Sequence, residues 1–209
     1  MKKIEPYLNI NEATLSLDNG GRFYNFLTKA DDGEITKGEL GKVGGVFIDK
    51  QQMVLFLELS ISKLNKKEKE AIISKLEGSL QSAYQKYKPH ELLLSEAKER
   101  GLISSSAMLR GIPTLTKSNP DFNGFIMMPM VTNDVTTFMF IPLIDLYDVY
   151  ELKEEESSDT FLIAHLKSSE KLPEKKIKVA GVFKELNANK EEKTASGKFL
   201  EALYYLDIN

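Results

Sequence analysis

The sequence predicts an α+β chain in which a mostly helical N-terminal region, residues 1–101, is followed by an antiparallel β-barrel, residues 102–209. Three observations predict it. Between residues 22 and 100 apolar side chains recur at helical spacing. After Gly101 the texture changes to short segments rich in branched and aromatic residues, bounded by turn residues. Several such segments within about a hundred residues, one with a glycine inside it, favour closure, because a closed sheet leaves no exposed edge.

In the helical region, Asp49 caps a helix whose apolar set is Met53, Val54, Phe56, Leu57, Ile61 and Leu64, although the run 54–59 also reads as a strand. Asn65-Lys66-Lys67-Glu68 puts a capping side chain before a Glu at the third helical position, a box-type start. Ile72, Ile73, Leu76, Leu80 and Tyr84 follow at helical spacing, so this helix is expected to run to about Tyr87 and stop before Pro89. Strands are expected at 107–114, 124–130, 137–143, 148–152, 160–166, 176–186 and 200–208. In the sixth, Ile177, Val179, Gly181 and Phe183 alternate with Lys178, Ala180, Val182 and Lys184, the pattern of a half-exposed sheet. Residues 151–159 and 187–197 are polar and charged, hence surface loops.

Composition narrows the chemistry. The chain has 209 residues, no Cys, no Trp and two His, so thiol chemistry, disulfides and thiolate zinc sites are excluded. A cysteine-free chain fits a reducing compartment, and no continuous apolar stretch follows Lys2-Lys3, so a cytoplasmic protein without a secretory signal is expected. The longest apolar stretches are interrupted by Pro129 and Pro142, so no membrane association is expected. Net charge is −3: residues 1–101 hold 16 Lys/Arg against 15 Asp/Glu, and residues 102–209 hold 12 against 16. Neither half has the basic excess that phosphate-backbone binding favours.

Two stretches carry resemblances. Ala30-Asp31-Asp32-Gly33-Glu34-Ile35-Thr36-Lys37-Gly38-Glu39-Leu40 resembles the second half of an EF-hand calcium loop, with Gly33 as the sharp-turn glycine and Glu39 at the bidentate position. Thr28 and Ala30 stand where the first half should supply carboxylates, which halves the anionic set. The same stretch is similar to the acidic turn of TerB-like helical domains, a resemblance over roughly 21–88 that implies an all-helical acidic domain with metal binding. Either resemblance makes Asp31, Asp32, Thr36 and Glu39 a candidate Ca or Mg site. The plainer reading is a turn at Gly33 followed by a capping box of Thr36 and Glu39. Residues 105–209 resemble an oligonucleotide/oligosaccharide-binding (OB) barrel. The resemblance lies in Met108-Leu109-Arg110-Gly111-Ile112 as an opening strand and in Leu172-Pro173-Glu174-Lys175-Lys176-Ile177-Lys178-Val179-Ala180-Gly181-Val182 as a late one. A β-sandwich or another small barrel satisfies the same texture.

The remaining candidates are weaker in motif. Lys171, Lys175, Lys176 and Lys178 form the densest basic cluster, with Tyr204 among the aromatics that could stack bases beside it. Glu170, Glu174 and the seven acids of 145–159 oppose that use, and a lysine edge that discourages strand pairing is the plainer account. His90 and His165 have no companion ligand or triad partner in the sequence. The glycines at 38, 41, 44 and 45 match no phosphate loop. Met127, Met128, Met130 and Met139 suit interior packing, or an adaptable surface. No catalytic constellation and no resident cofactor is legible. The favoured expectation is a non-enzymatic binding module for a protein or small-molecule ligand, with a divalent-ion-responsive protein and a single-stranded nucleic-acid binder as alternatives.

Overall fold

The structure, a computed structural model, describes residues 1–20, 30–116, 125–132, 135–142, 147–155, 157–167, 170–186 and 197–208. Among these the chain is mixed α/β, with six helices, a seven-stranded sheet and a separate two-stranded hairpin. It divides into two compact units between His90 and Glu91.

The first unit contains β1 (Lys2–Lys3) and helices α1 (Ile10–Leu17), α2 (Lys37–Gly44), α3 (Lys50–Ser60), α4 (Lys66–Ser74) and α5 (Gly78–Tyr87). Local chemistry sets most helix starts: Asn9 and Asp49 accept the N–H groups of Glu12 and Gln52, and both expected capping boxes form, Thr36 with Glu39 and Asn65 with Glu68. The run 54–59 is helical, and its neighbours Leu55, Leu57, Leu59 and Ile61 are all buried, so α3 is wrapped on most sides. The helix expected from residue 66 to about 87 is broken in two. Between α4 and α5, Ile35 forms a parallel bridge to Leu76, with Ile35 N–H donating to the Lys75 carbonyl and Glu77 N–H to that of Ile35. Those hydrogen bonds replace the helical ones at Lys75–Glu77, and Gly78 just after them weakens helix continuity further. Residues 21–29, at the start of the expected helical stretch, lie outside the described residues.

The second unit contains α6 (Leu94–Arg100) and seven strands longer than a dipeptide: β3 (Ser106–Leu115), β4 (Phe125–Thr132), β5 (Val135–Pro142), β6 (Tyr147–Lys153), β7 (Thr160–Leu166), β8 (Ile177–Leu186) and β9 (Gly197–Asp207). All seven expected strands are present. A dipeptide strand, β2 (His90–Glu91), precedes α6. Among the described residues β4 and β5 pair with each other alone. In the main sheet β3 pairs antiparallel with β8 through Ser106–Gly111 and with β6 through Ile112–Leu115. β6 pairs antiparallel with β7, β7 parallel with β9, and β9 antiparallel with β8. Leu109, Tyr150, Leu152, Phe161, Ile163, Ile177, Val179, Phe183 and Leu200 form one buried cluster, which Leu94 and Ala97 of α6 join. β8 is more buried than a half-exposed strand: Ala180 and Val182 are covered as well, since β8 lies between two partners rather than at a margin.

Two glycines make this pairing possible. At Gly111, where β3 leaves β8 for β6, an added Cβ would lie 2.6 Å from the Lys153 carbonyl oxygen and 2.9 Å from the Leu152 side chain. At Gly181, beside the register shift between β8 and β9, a Cβ would overlap the Glu201 carbonyl. Gly111→Ala and Gly181→Ala are therefore expected to cost about 1–3 kcal/mol each by overpacking. Gly41→Ala, in an open stretch of α2, is expected to stabilise by about 0.5–1 kcal/mol. Denaturant midpoints of the three variants check the contrast.

Candidate functional site

In the helical unit the acidic loop is organised by hydrogen bonds within the protein. Asp18, buried at the end of α1, takes the N–H groups of Asp32 and Gly33 on its two carboxylate oxygens at 3.1 and 2.9 Å, with the Lys75 ammonium 3.9 Å away. Asp32 Oδ1 accepts Glu34 N–H, and Asp31 is exposed with φ of 60°. Glu39, 3% exposed, accepts Gly20 N–H at 2.6 Å on Oε1, and Thr36 N–H and hydroxyl at 2.8 and 3.0 Å on Oε2. Thr36 Oγ in turn accepts Glu39 N–H. Asp18 was not singled out from sequence, yet it organises the turn at Asp31–Gly33. Among the described residues no group of three or more His, Asp or Glu stands together that could hold a metal ion. The glycines at 38, 41 and 44 lie within α2, and Gly45 terminates it.

In the strand unit every lysine of the basic cluster has a carboxylate partner. Lys171 reaches Asp148 at 2.6 Å, Lys175 reaches Asp207 at 2.8 Å, Lys176 reaches Glu155 at 2.7 Å and Lys178 reaches Glu91 at 3.0 Å. Arg110 also pairs with Glu91. Burial pushes the Glu91 carboxyl up, but the two cations beside it outweigh that and hold it below the usual carboxylate range. Tyr204 is buried, as are Phe183 and Phe199, so these rings offer no face to a nucleobase. A cavity of about 340 Å³ beside Glu91, Arg110, Glu155 and Lys176 is consequently lined by charges that already satisfy one another.

The register of β6 and β7 separates two faces. Asp148 opposite His165, Tyr150 opposite Ile163 and Leu152 opposite Phe161 share the face whose last two pairs join the buried cluster. Tyr147 opposite Leu166, Val149 opposite Ala164 and Glu151 opposite Leu162 share the other. There Val149, Ala164 and Phe199 form a small buried patch, and Tyr147 lies edge-on to Phe199 while donating to Glu201 at 2.7 Å. Leu166 is 61% exposed at one end of this face. Toward the other end Glu151, Thr160, Leu162, Lys98 and Lys198 line a shallow cavity of about 360 Å³. The candidate site is the uncovered part of this face, Tyr147, Leu162 and Leu166 with the polar margin, since the middle at Val149, Ala164 and Phe199 is buried. Of the methionines, Met139 is exposed, while the side chains of Met127, Met128 and Met130 lie outside the described residues.

The opposite face ends in a buried polar group. His165, 2% exposed, donates from Nδ1 to the Leu166 carbonyl at 2.8 Å and stacks on Tyr150 at 5.6 Å. Its Nε2 has no hydrogen-bond partner among the described residues. Tyr150 accepts Leu172 N–H, and the Asp148–Lys171 pair lies on the same segment, so residues 171–172 are tied onto this end of the sheet. His90 is exposed. Compared with known proteins, the chain matches no family model and no curated protein.

Two outcomes follow from these contacts. Glu39→Gln turns one of the two accepting oxygens into an NH2 donor facing N–H groups, so one or two of the three hydrogen bonds are lost, and it is expected to lower stability by about 1–3 kcal/mol, equally in millimolar calcium and in chelator. A loss seen only with calcium present would assign Glu39 to an ion instead. Burial depresses the pKa of His165, while an unfolded histidine takes its proton near pH 6.5. Stability is therefore full above about pH 6.5 and falls as the pH drops below it. His165→Gln is expected to flatten that slope in urea titrations across the same window.

Proposed function

We propose that the chain is a cytoplasmic, non-enzymatic binding protein whose strand unit is a five-stranded barrel of OB type and whose ligand is an apolar polypeptide segment. The observation that carries the reading is the circuit of strand pairs, β3 with β6, β6 with β7, β7 with β9, β9 with β8 and β8 back to β3. Five strands joined in a ring, with the first one divided between two partners, is the pattern expected of a small Greek-key barrel. In OB barrels the ligand lies across the second and third strands between the loops that flank them. Those strands here are β6 and β7, and the long connection from β3 to β6 carries the β4–β5 hairpin. Fold analogy supplies only the location.

The choice of ligand rests on the side chains. Tyr147, Leu162 and Leu166 offer apolar surface, whereas the lysines suited to phosphates are engaged with Asp148, Asp207, Glu155 and Glu91. A nucleic-acid backbone would have to displace those carboxylates, which raises its cost. The cytoplasmic setting rests on the cysteine-free composition.

The test is a thermal-shift screen of the full chain against pooled peptides, with a single-stranded oligonucleotide at low salt as the competing case. A peptide at about a hundred times its Kd is expected to stabilise by about 2.7 kcal/mol. Leu166→Asp, at an exposed position, is expected to abolish that shift while leaving the free protein folded. Saturable oligonucleotide binding with a steep salt dependence, and no peptide shift, would overturn the proposal.

A further inference from the structure

The helical unit holds a buried carboxylate that its packing does not require. Glu58 in α3 is 7% exposed and accepts the Tyr84 hydroxyl at 2.7 Å on Oε2, and burial, together with this hydrogen bond to a carboxylate, pushes the Tyr84 pKa far up. Among the described residues no second donor reaches Glu58. Instead Glu58 and Leu64 line a cavity of about 400 Å³, which shares Glu70, Ile73, Tyr84 and Lys88 with a neighbouring cavity of about 310 Å³. The two form one groove. On α4 its lining recurs at 66, 69, 70 and 73, and on α5 at 81, 84 and 85. Those spacings put one face of each helix along it for about two turns, roughly 12 Å.

Its floor is apolar at Leu64, Ile73 and the Tyr84 ring, with the Glu58 carboxylate at one end. Its rim is cationic. Lys88 lies 5.6 Å from the Tyr84 ring centre, and neither Lys88 nor Lys69 has a carboxylate partner among the described residues. This separates them from the strand-unit cluster of Lys171, Lys175, Lys176 and Lys178, each of which has a carboxylate partner. Lys66 approaches Glu70 only at 4.0 Å, with both side chains well exposed.

We infer that the α4–α5 groove is a second binding site, taking an acidic peptide segment with an aliphatic anchor. The anchor lies on Ile73 and Leu64, the segment's carboxylates meet Lys69 and Lys88, and an N–H or hydroxyl of the segment donates to Glu58. Charge complementarity selects the occupant. Two free ammonium groups over a short apolar floor suit separated carboxylates, whereas a phosphate backbone would run onto Glu70 and Glu58. The site is independent of the β6–β7 face and stands or falls separately from it.

Fluorescence polarisation of the full chain tests this with three labelled probes. One is a peptide of roughly twelve residues with Glu around leucines at helical spacing, the second has Lys in place of Glu, and the third is a single-stranded oligonucleotide. The acidic probe is expected to bind saturably, and Lys69→Glu with Lys88→Glu is expected to weaken it at least about tenfold while strengthening the Lys probe. Both substitutions are at the rim, and an unchanged melting temperature confirms that the variant is folded. Ile73→Ser is expected to weaken the acidic peptide in the otherwise native chain and the Lys peptide in the charge-reversed chain, because it removes the anchor rather than the charge. Failure of the acidic probe to bind, equal binding to the charge-reversed chain, or preferential binding of the oligonucleotide would overturn the inference.

Discussion

The strand unit depends on one strand serving two partners. β3 gives residues 106–111 to β8 and 112–115 to β6, and no ordinary side chain fits where the handover occurs. Gly111 lets the backbone approach the Lys153 carbonyl, and the buried cluster around Leu109, Tyr150 and Phe183 forms because that approach brings β6 and β8 to opposite ends of the same strand. The register that follows decides every side chain's face, since a shift by one residue would exchange them. The separation of Tyr147, Glu151 and Leu162 from Tyr150, Leu152 and Ile163 is thus a consequence of strand pairing before it is a feature of any site.

Charge tells the two units apart more sharply than their totals do. In the strand unit Lys171, Lys175, Lys176 and Lys178 look, in sequence, like a basic edge, yet each meets an acid from a distant segment. Most of these pairs are partly exposed and contribute little to stability individually. Their effect is on function: they remove positive potential from a surface that would otherwise attract phosphates. In the helical unit the cations that matter are Lys69 and Lys88, which stand next to a short apolar floor and have no carboxylate partner among the described residues.

Much of the fold was legible from local signals. Both capping boxes are readable because the two residues that make each lie three apart, and all seven strands are readable because branched residues and bounding turns are local as well. What sequence did not show depends on contacts between distant residues. The break at Lys75–Glu77 comes from Ile35, about forty positions away, competing for the backbone of a segment whose own pattern is helical. The role of Asp18 is invisible because its partners Asp32 and Gly33 lie fourteen and fifteen positions further along the chain. His165 shows the limit most clearly. Alternation places it on a strand, but only the register with Asp148 and the stacking on Tyr150 make it a buried imidazole whose burial lowers its pKa.

Buried polar groups that are half satisfied are where a fold carries more than packing demands. Glu39 and Asp18 do not qualify, because backbone N–H groups use both oxygens of each and the loop they hold is the product. Ser60 does not either, since its hydroxyl returns to the Phe56 carbonyl within α3. Glu58, two residues before Ser60, differs. A leucine there would extend the apolar floor formed by Leu64 and Ile73 without the desolvation cost of a carboxylate. Keeping an acid, with one oxygen on Tyr84 in a residue that lines a cavity rimmed by Lys69 and Lys88, makes chemical sense when a donor arrives from outside the unit to complete it.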